Sequence, residues 1–585
     1  RKLSLSLILA VSHPSFPIAL DSESVTPNSS NEVDHFEIAG QDLANKRYQK
    51  AADEYSLALK LKPKDAKALE GRALALAYLA KYPEAIIDYN HSIKLDPTNF
   101  DAIYGRGAVF VRMGEHKKSI KDFDRALAIS PQNTDAFYSR AGEYVALGEF
   151  DKAIADYDAT ITIDPKYFDA YYEKAITLRN LGQLKKAIEE CKKALLLEDE
   201  KPSRLYFILG ALYSQTREND KALDLFNKVL RDNPKDAYSY MSRAFISFGQ
   251  GNTSAAIDDF SNYLKFAESS DISNIGYITV CRLLAQKQVD EKRYRESLDL
   301  ALDSVNKKEF AHSLLEYLAG KKTASQIFAK AKDDDAKVIS SRCYIGINEL
   351  LSGNPAGIKN LSLAVEKGNP RNCEYQLAQD MKERSSEILL SVLFKSIYQN
   401  DVAKAKEVLG NGVDCTLKDS QDNCALITAA IHGNPEFVKL FLEKGADPDQ
   451  KLSDGRTALY FAAMSPISTA KSSTDRLIKE HAENLEIIKM LVAKGADPNA
   501  TDKYGITPLM NAASTGNVSA VKFLLENKAN ASAVVTEEKI DPAGGHTIAR
   551  KGDTAAMLAA RKFTGMGRDN APANEIVELL ERASK

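Results

Sequence analysis

The sequence predicts an all-α fold, an α-solenoid in which short helix pairs stack side by side. Three consecutive segments of 34 residues, 100–133, 134–167 and 168–201, share one pattern of small, aromatic and apolar residues. Within each half of a segment the apolar residues recur every three to four positions, which is the period of an amphipathic helix. A second pattern repeats in the last third of the chain. Because a single helix pair cannot bury its apolar face alone, the repeated pairs must stack.

The composition fits a folded chain and argues against several classes of function. The chain has 585 residues, of which 44% are hydrophobic and 27% charged, so global disorder is excluded. A net charge of −3 argues against a basic surface, and we expect no nucleic-acid partner. Six cysteines are too few for a disulfide-based fold. No apolar stretch reaches the roughly 18 residues of a transmembrane helix.

The N-terminal segment has the layout of an export signal. Arg1 and Lys2 precede an apolar stretch, and small Ala19 is followed by a polar run from Asp21. We therefore predict a signal peptide over 1–20, a linker over 21–31, and a periplasmic or secreted location. The alternative is a frayed N-terminal helix that packs on the first repeat of a cytoplasmic protein.

The 34-residue pattern extends in both directions from the three clearest segments. Segments 32–65 and 66–99 precede them, and segments 203–236 and 237–270 follow them, which gives seven units over 32–270. A glycine near the middle and a proline after the second half mark the ends of the two helices. Period, small residues and closing proline together resemble the tetratricopeptide repeat (TPR) family. The resemblance implies two antiparallel helices per unit, stacked in a right-handed superhelix.

Two positions within the TPR-like unit change together along the chain. The seventh residue is basic in five units, and in each of them an acidic residue stands sixteen positions later. In the sixth unit both are leucine, Leu209 and Leu225. A paired arginine is far cheaper to bury than an isolated one, so we predict structural ion pairs between the two helices of a unit. The predicted pairs are Arg72–Asp88, Arg106–Asp122, Arg140–Asp156, Lys174–Glu190 and Arg243–Asp259.

Residues 271–386 are predicted to be helical but lack a regular repeat. The stretch 293–305 reads as the second helix of a degenerate unit, and 343–370 as a complete unit. We interpret this region as a degenerate TPR-like continuation that forms a joint.

The second repeat occupies the C-terminal region. Its best unit is YGITPLMNAASTGNVSAVKFLLENKAN over 504–530, and GADP occurs within 439–450 and 489–500. These motifs resemble ankyrin repeats, which have a period of about 33 residues. The resemblance implies about five units over 387–585, with insertions at 464–482, 534–550 and 563–572 that could serve as binding loops or be tolerated drift.

Two details of the ankyrin-like region lead to structural predictions. The histidine usual in the family is replaced by Ile427, Tyr460, Met510 and Met557, so we expect apolar packing in place of its polar link. Cys415 and Cys424 flank one finger loop. They could pair in an exported protein, although buried free thiols are the favoured interpretation.

The TPR resemblance implies that the first helices line a concave groove, with the fifth residue of each unit facing it. A continuous exposed aromatic row is unusual unless it binds a partner. Asp101, Asp135 and Asp169 stand three residues before three of the tyrosines, so we predict a site for an apolar peptide carrying Lys or Arg. The alternative is that the aspartates complement helix dipoles and that adjacent units half-bury the tyrosines. The fifth-position residues of the predicted site are Phe36, Tyr104, Tyr138, Tyr172, Phe207 and Met241.

No motif for catalysis or cofactor binding is found. The sequence has no CxxC, HExxH or Walker A motif, so we predict no cofactor, no metal and no enzymatic activity. The Lys/Asn carboxylate clamp of chaperone-binding TPR relatives is also absent. The sequence thus predicts a protein–protein interaction scaffold. The rival hypotheses are a secreted bacterial effector acting on host proteins and an enzyme with an unrecognised site.

Overall fold

The computed structural model describes residues 34–197, 202–370, 372–419, 422–464, 474–540, 547–563 and 571–585. These residues form 31 helices and a single two-stranded sheet, which confirms the predicted α-solenoid. The predicted signal peptide and linker lie outside the described residues. In the part of the chain that the structure describes, no helix is both long enough and apolar enough to cross a bilayer.

The chain divides into two compact units. The first comprises the described residues up to Ser247 together with Ala255–Asp271, and the second comprises Phe248–Ser254 together with the residues from Ile272 onward. Seven helix pairs, one in each predicted TPR-like unit, come first in the part of the chain that the structure describes. They are α1 His35–Ala44, α2 Tyr48–Leu61, α3 Ala66–Tyr78, α4 Tyr82–Leu95, α5 Phe100–Arg112, α6 His116–Ile129, α7 Thr134–Leu147, α8 Phe150–Ile163, α9 Phe168–Asn180, α10 Leu184–Leu195, α11 Pro202–Gln215, α12 Asn219–Asp232, α13 Ala237–Gln250 and α14 Thr253–Phe266.

Local sequence explains where these helices begin, end and approach one another. Asn133 caps α7 by accepting a hydrogen bond from the backbone N–H of Ala136, and Gly148 ends the same helix with a φ of 76°. The small residue near the start of each unit allows close packing of its two helices. A Cβ at Gly107 would lie 2.9 Å from the ring of Phe123. The helix boundaries and the small positions therefore follow from the repeat pattern.

The predicted ion pairs are confirmed, and each also reaches a third side chain. Arg140 donates to both carboxylate oxygens of Asp156, at 2.8 and 2.7 Å, and its Nη1 donates to Asp124 of the preceding unit at 2.6 Å. The second contact, sixteen residues earlier in the chain, was not predicted. It recurs with a polar or acidic partner in the Arg72–Ser56, Arg106–Asn90, Lys174–Asp158 and Arg243–Asn227 contacts. Each basic side chain thus links the second helices of two neighbouring units.

The second compact unit opens with seven helices that lack the 34-residue pattern. A fully buried cluster among them contains Cys281, Cys343 and Tyr344, and the Tyr344 hydroxyl lies 3.3 Å from the buried Glu374 carboxylate. The helices are α15 Ile272–Val289, α16 Glu291–Ser304, α17 Phe310–Leu318, α18 Ala324–Ala331, α19 Asp335–Leu351, α20 Ala356–Lys367 and α21 Cys373–Glu383.

Five further helix pairs complete the second unit. Thr457 and Thr507 cap two of the first helices, since each side chain accepts the backbone N–H three residues later. The pairs are α22 Ser385–Tyr398 with α23 Val402–Gly410, α24 Ala425–His432 with α25 Pro435–Glu443, α26 Ala458–Ala463 with α27 Thr474–Ala493, α28 Pro508–Thr515 with α29 Val518–Glu526, and α30 Ala555–Phe563 with α31 Ala571–Ser584. A hairpin of β1 Lys539–Ile540 and β2 Thr547–Ala549 precedes the last pair.

Polar contacts between successive finger loops hold this part of the stack in register. Asp449 accepts the backbone N–H of Asp497 at 2.8 Å, and Asn499 accepts that of Asn530 at 2.7 Å. Cys415 lies just ahead of one finger loop, where it is a buried free thiol, as is Cys424.

Candidate partner-binding groove

The first helices of the first compact unit pack side by side, and we call the face that they form the inner face. The helices α1 and α3, α3 and α5, α5 and α7, and α9 and α11 contact one another across unit boundaries. The residues predicted to bind a partner all lie on these helices or at their first turns. The helices therefore bring the predicted residues together on the inner face, but their exposure differs from what we expected.

The expected continuous row of exposed aromatic side chains is wrong at three positions. Tyr104, Tyr172 and Met241 are buried, with exposed fractions of 3%, 7% and 3%. The hydroxyl of Tyr104 lies 2.9 Å from the Ser139 Oγ of the next unit, and the ring of Tyr172 lies under the guanidinium of Arg204 at 3.8 Å. The adjacent unit thus covers Tyr104 and Tyr172, because its first helix packs directly against them.

Phe36, Tyr138 and Phe207 are half-buried. Each packs on an aromatic ring of the second helix in its own unit. The centroid distances are 5.6 Å for Phe36–Tyr55, 5.8 Å for Tyr138–Tyr157 and 5.7 Å for Phe207–Phe226. Three anchored rings on the inner face therefore keep part of their surface accessible, and their contact with a partner stays a prediction.

Two of the three aspartates, Asp135 and Asp169, are engaged differently from the Tyr–Asp pairing that the helical spacing predicted. Asp135 accepts a hydrogen bond from the Tyr167 hydroxyl at 3.0 Å, and Asp169 accepts one from Arg204 at 3.3 Å. Glu70 similarly accepts from the Asn99 amide at 2.7 Å. The donors stand at the junction with the next unit, about 30 residues downstream. A comparison of junction residues between units was the signal that could have found them.

The inner face concentrates carboxylates. Burial raises the pKa of Glu70 to about 7, and the nearby Asp101 and Asp96 carboxylates raise it further against the effect of the Asn99 hydrogen bond. Burial also raises the pKa of Glu173 to about 7, opposed by Arg204. Glu70 and Glu173 are therefore only partly ionised at neutral pH, so the acidic character of the inner face, which favours cationic ligands, comes mainly from carboxylates such as Asp135 and Asp169.

In the ankyrin-like stack, the four positions at which we expected apolar packing in place of the family's histidine behave differently from one another. The Tyr460 hydroxyl donates to Asp502 at 3.1 Å and accepts a hydrogen bond from Lys539 at 3.0 Å. The expectation is therefore wrong at Tyr460, which is long enough to reach the next finger loop. It is also wrong at Met557, which is 53% exposed. Ile427 and Met510 are buried, and there the expectation is confirmed.

The insertions are partly described. Residues 474–482 of the first insertion lie in α27, and Lys539 of the second anchors the β1–β2 hairpin to Tyr460. Residues 465–473, 541–546 and 564–570 lie outside the described part of the chain. The second insertion thus includes a segment docked on the stack, which insertion length alone did not predict.

Two observations concern possible metal binding and thiol reactivity in the described residues. They contain no group of three or more His, Cys, Asp or Glu side chains placed to hold a metal ion. Burial raises the pKa of Cys191 to about 12 and that of Cys424 to about 11, so both thiols are protonated at neutral pH and poorly nucleophilic.

The repeated helix pairs define an α-solenoid, a class of protein whose members commonly bind other proteins. Comparison with known families identifies the repeat of the first compact unit and the repeat of the C-terminal region. A tetratricopeptide repeat model matches residues 100–133 and 168–201, and a TPR repeat model matches 78–114 and 143–178. Models of ankyrin repeats match 361–451, 393–472 and 475–525. The chain therefore contains TPR repeats followed by C-terminal ankyrin repeats. The ankyrin match begins at residue 361, ahead of the predicted start at 387.

Individual relatives match only parts of the chain. Protein HOS4 of Saccharomyces cerevisiae is 34% identical over 104 residues, and the ankyrin repeat protein FPV222 of fowlpox virus is 31% identical over 145 residues. The matched segments are 17% and 22% of this chain, and they span only 10% and 19% of those proteins. Among solved structures, a crystal structure of MamA is 27% identical, with a TM-score of 0.27, covering 28% of this chain and 96% of that one. MamA 41-end from Desulfovibrio magneticus RS-1 is 22% identical, with a TM-score of 0.27, covering 28% and 93%.

Proposed function

We propose that this protein is a non-enzymatic scaffold that holds one protein segment on the inner face of its TPR array and a second protein on its ankyrin stack. TPR and ankyrin repeats indicate a protein-interaction scaffold with protein partners. The proposal adds the binding surfaces and the absence of catalysis. It is supported by the repeats and by the solvent-accessible aromatic rings on the inner face.

The observation that carries the groove proposal is the combination of anchored rings and carboxylates on one face. Phe36, Tyr138 and Phe207 are held by ring contacts, so a partner that covers them loses little side-chain entropy at these anchors. The acidic row, which we define as Asp101, Asp135 and Asp169, adds long-range attraction for positive charge. The fitting partner is an extended apolar segment that carries Lys or Arg.

The experiment is selection from a randomised peptide library on the immobilised full chain. We expect enrichment of peptides with apolar residues next to Lys or Arg. The triple variant Asp101→Asn, Asp135→Asn, Asp169→Asn is expected to lose the preference for basic residues. The variant Tyr138→Ala, Phe207→Ala is expected to weaken binding at least tenfold. The matched control is Asp53→Asn, Asp151→Asn, Asp220→Asn on exposed positions of second helices, which leaves selection unchanged. Equal selection by the groove variants and the wild type would contradict the groove role.

The cellular location follows from residues 1–20, which we propose direct export. The supporting observation is the basic start followed by the apolar stretch Leu3–Val11 and small Ala19. Fractionation of the native cell with measurement of the mature N-terminus tests it. Recovery from the periplasm with the segment removed supports an exported adaptor. Recovery from a host cytosol supports the effector hypothesis, and an intact N-terminus in the producing cytoplasm contradicts export.

A further inference from the structure

The outer face of the first TPR unit combines exposed leucines with exposed lysines. Leu57 and Leu61 lie one turn apart on α2, with exposed fractions of 36% and 73%. Lys60, Lys62 and Lys64 surround the end of this helix and are exposed. None of the three forms an ion pair with a described carboxylate. The exposed leucines at the end of α2 are thus surrounded by positively charged side chains.

The second helix of the second unit, α4, adds exposed aliphatic side chains to this surface. On α4, Ile87 is 55% exposed and Leu95 is 43% exposed, and Lys94 precedes Leu95. Residues 62–67, after α2, line an open depression of about 700 Å³, and three of the six are lysines and one is Asp65. Apolar and cationic groups therefore extend over the outer side of the first two units.

The charge around this surface is specific to the first unit. In the second to fourth units, the residues equivalent to Leu61 are followed by Asp96, Ser130 and Asp164, whereas Leu61 is followed by Lys62. Residues 46–67 contain seven Lys or Arg and three Asp or Glu, a net charge of +4, although the whole chain carries −3. The repeat pattern does not require this concentration of lysines, since its other units fold without it.

From this surface we infer that the outer face of the first two units docks on a lipid bilayer that contains anionic headgroups. Lysines bind an anionic surface additively, with about 1 kcal/mol for each residue near the headgroups. Their aliphatic stems extend the apolar area beside Leu61 while the ammonium groups reach the headgroups. Leu57 and Leu61 then enter the interface between headgroups and acyl chains, as the apolar side chains of peripheral membrane proteins do. An acidic protein would satisfy the lysines but would not require the protruding leucine.

The test is co-sedimentation of the full chain with vesicles of phosphatidylcholine alone or with about one third phosphatidylglycerol. We expect binding only to the anionic vesicles, with affinity falling as salt rises. The variant Lys60→Glu, Lys62→Glu, Lys64→Glu is expected to reduce binding at least a hundredfold, and Leu61→Ser about tenfold. The controls are Lys117→Glu, Lys121→Glu on α6 and Ile163→Ser at the equivalent position of the fourth unit, which leave binding unchanged. Circular dichroism confirms that each variant is folded.

Two results would overturn the inference. The first is a wild-type chain that does not bind anionic vesicles, which would indicate that the lysines bind an acidic protein instead. The second is binding that the Leu61→Ser variant retains in full, which would show adsorption by charge without insertion. The groove lies on the other helices of these units, so peptide selection and vesicle binding fail independently.

Discussion

Replacing the ion pair of the fourth unit by two leucines is expected to be nearly neutral, although each single replacement is strongly destabilising. In the structure Arg140 and Asp156 are joined by two hydrogen bonds, and their side chains are 18% and 8% exposed. The sixth unit carries Leu209 and Leu225 at the same positions, both buried. The fold therefore already accommodates the double replacement.

The magnitudes follow from what each variant leaves behind. Arg140→Leu strands the nearly buried Asp156 carboxylate, which costs about 3 kcal/mol. Asp156→Leu leaves Arg140 paired with Asp124, whose carboxylate lies 2.6 Å from the guanidinium and whose side chain is 51% exposed. Because Arg140 keeps one partner, the expected cost in stability is smaller, about 2 kcal/mol. In the double variant no buried charge is left, since Asp124 faces water. We expect a total cost of about 1 kcal/mol and therefore a coupling energy of about 4 kcal/mol.

Hydrogen exchange followed by mass spectrometry measures these differences locally in the full chain. Amides of α7 and α8 in the Arg140→Leu variant should open about a hundredfold more often than in the wild type, which corresponds to about 3 kcal/mol. Amides of α28 and α29 serve as the internal control. If the two single costs simply add in the double variant, the ion pair is not what makes the positions interdependent, and the reasoning fails.

Three further predictions concern other sites. Burial raises the pKa of Glu70 to about 7 from 4.5 in the unfolded chain, so the stability that its tighter proton binding contributes is fully present below pH 4.5 and is lost as the pH rises through 7. Glu70→Gln should therefore stabilise the second TPR unit by about 2 kcal/mol in urea unfolding at pH 8 and leave it unchanged at pH 4. Gly105→Ala should destabilise the protein by about 2 kcal/mol, because the added Cβ would lie 2.5 Å from the Tyr89 hydroxyl. Gly142→Ala should stabilise it by about 0.5 kcal/mol, because no atom lies within 4 Å of the added Cβ. Equal shifts in melting temperature for the two variants would contradict this. Lys539→Ala should increase cleavage within 534–550 by a soluble protease at least tenfold while the TPR array stays intact, and unchanged cleavage would show that Lys539 does not anchor the hairpin.

The fold was predictable because the same sequence pattern occurs in many successive units. Helix ends, small positions and the ion pairs each recur at fixed spacing, so the paired change to Leu209 and Leu225 revealed a contact without any structure. Asp135 and Tyr138 both lie on α7, but Asp135 accepts its hydrogen bond from Tyr167 and not from Tyr138. Spacing within one helix, however, does not show what the next unit places over it.

The mistaken expectations involve contacts between units. Tyr104 is buried because Ser139 and its helix lie against it, and Tyr172 is covered by Arg204. The contact between Tyr460 and Lys539 joins residues 79 positions apart, across an insertion with no counterpart in other units. Neither contact follows from the spacing of residues within one helix.

The arginine that reaches back to the preceding unit has a consequence for how the array unfolds. A stack of repeats behaves as a one-dimensional chain in which neighbours are coupled, and each such arginine adds to one coupling energy. Leu209 has no charged group with which to reach the fifth unit, so only apolar packing couples the fifth and sixth units through this position. At this boundary Arg204 supplies the link instead, since it contacts Asp169, Glu173 and Tyr172 of the fifth unit. In denaturant, we therefore expect an Arg204→Leu variant of the TPR array to separate first at that boundary, with the earlier units still melting as one block.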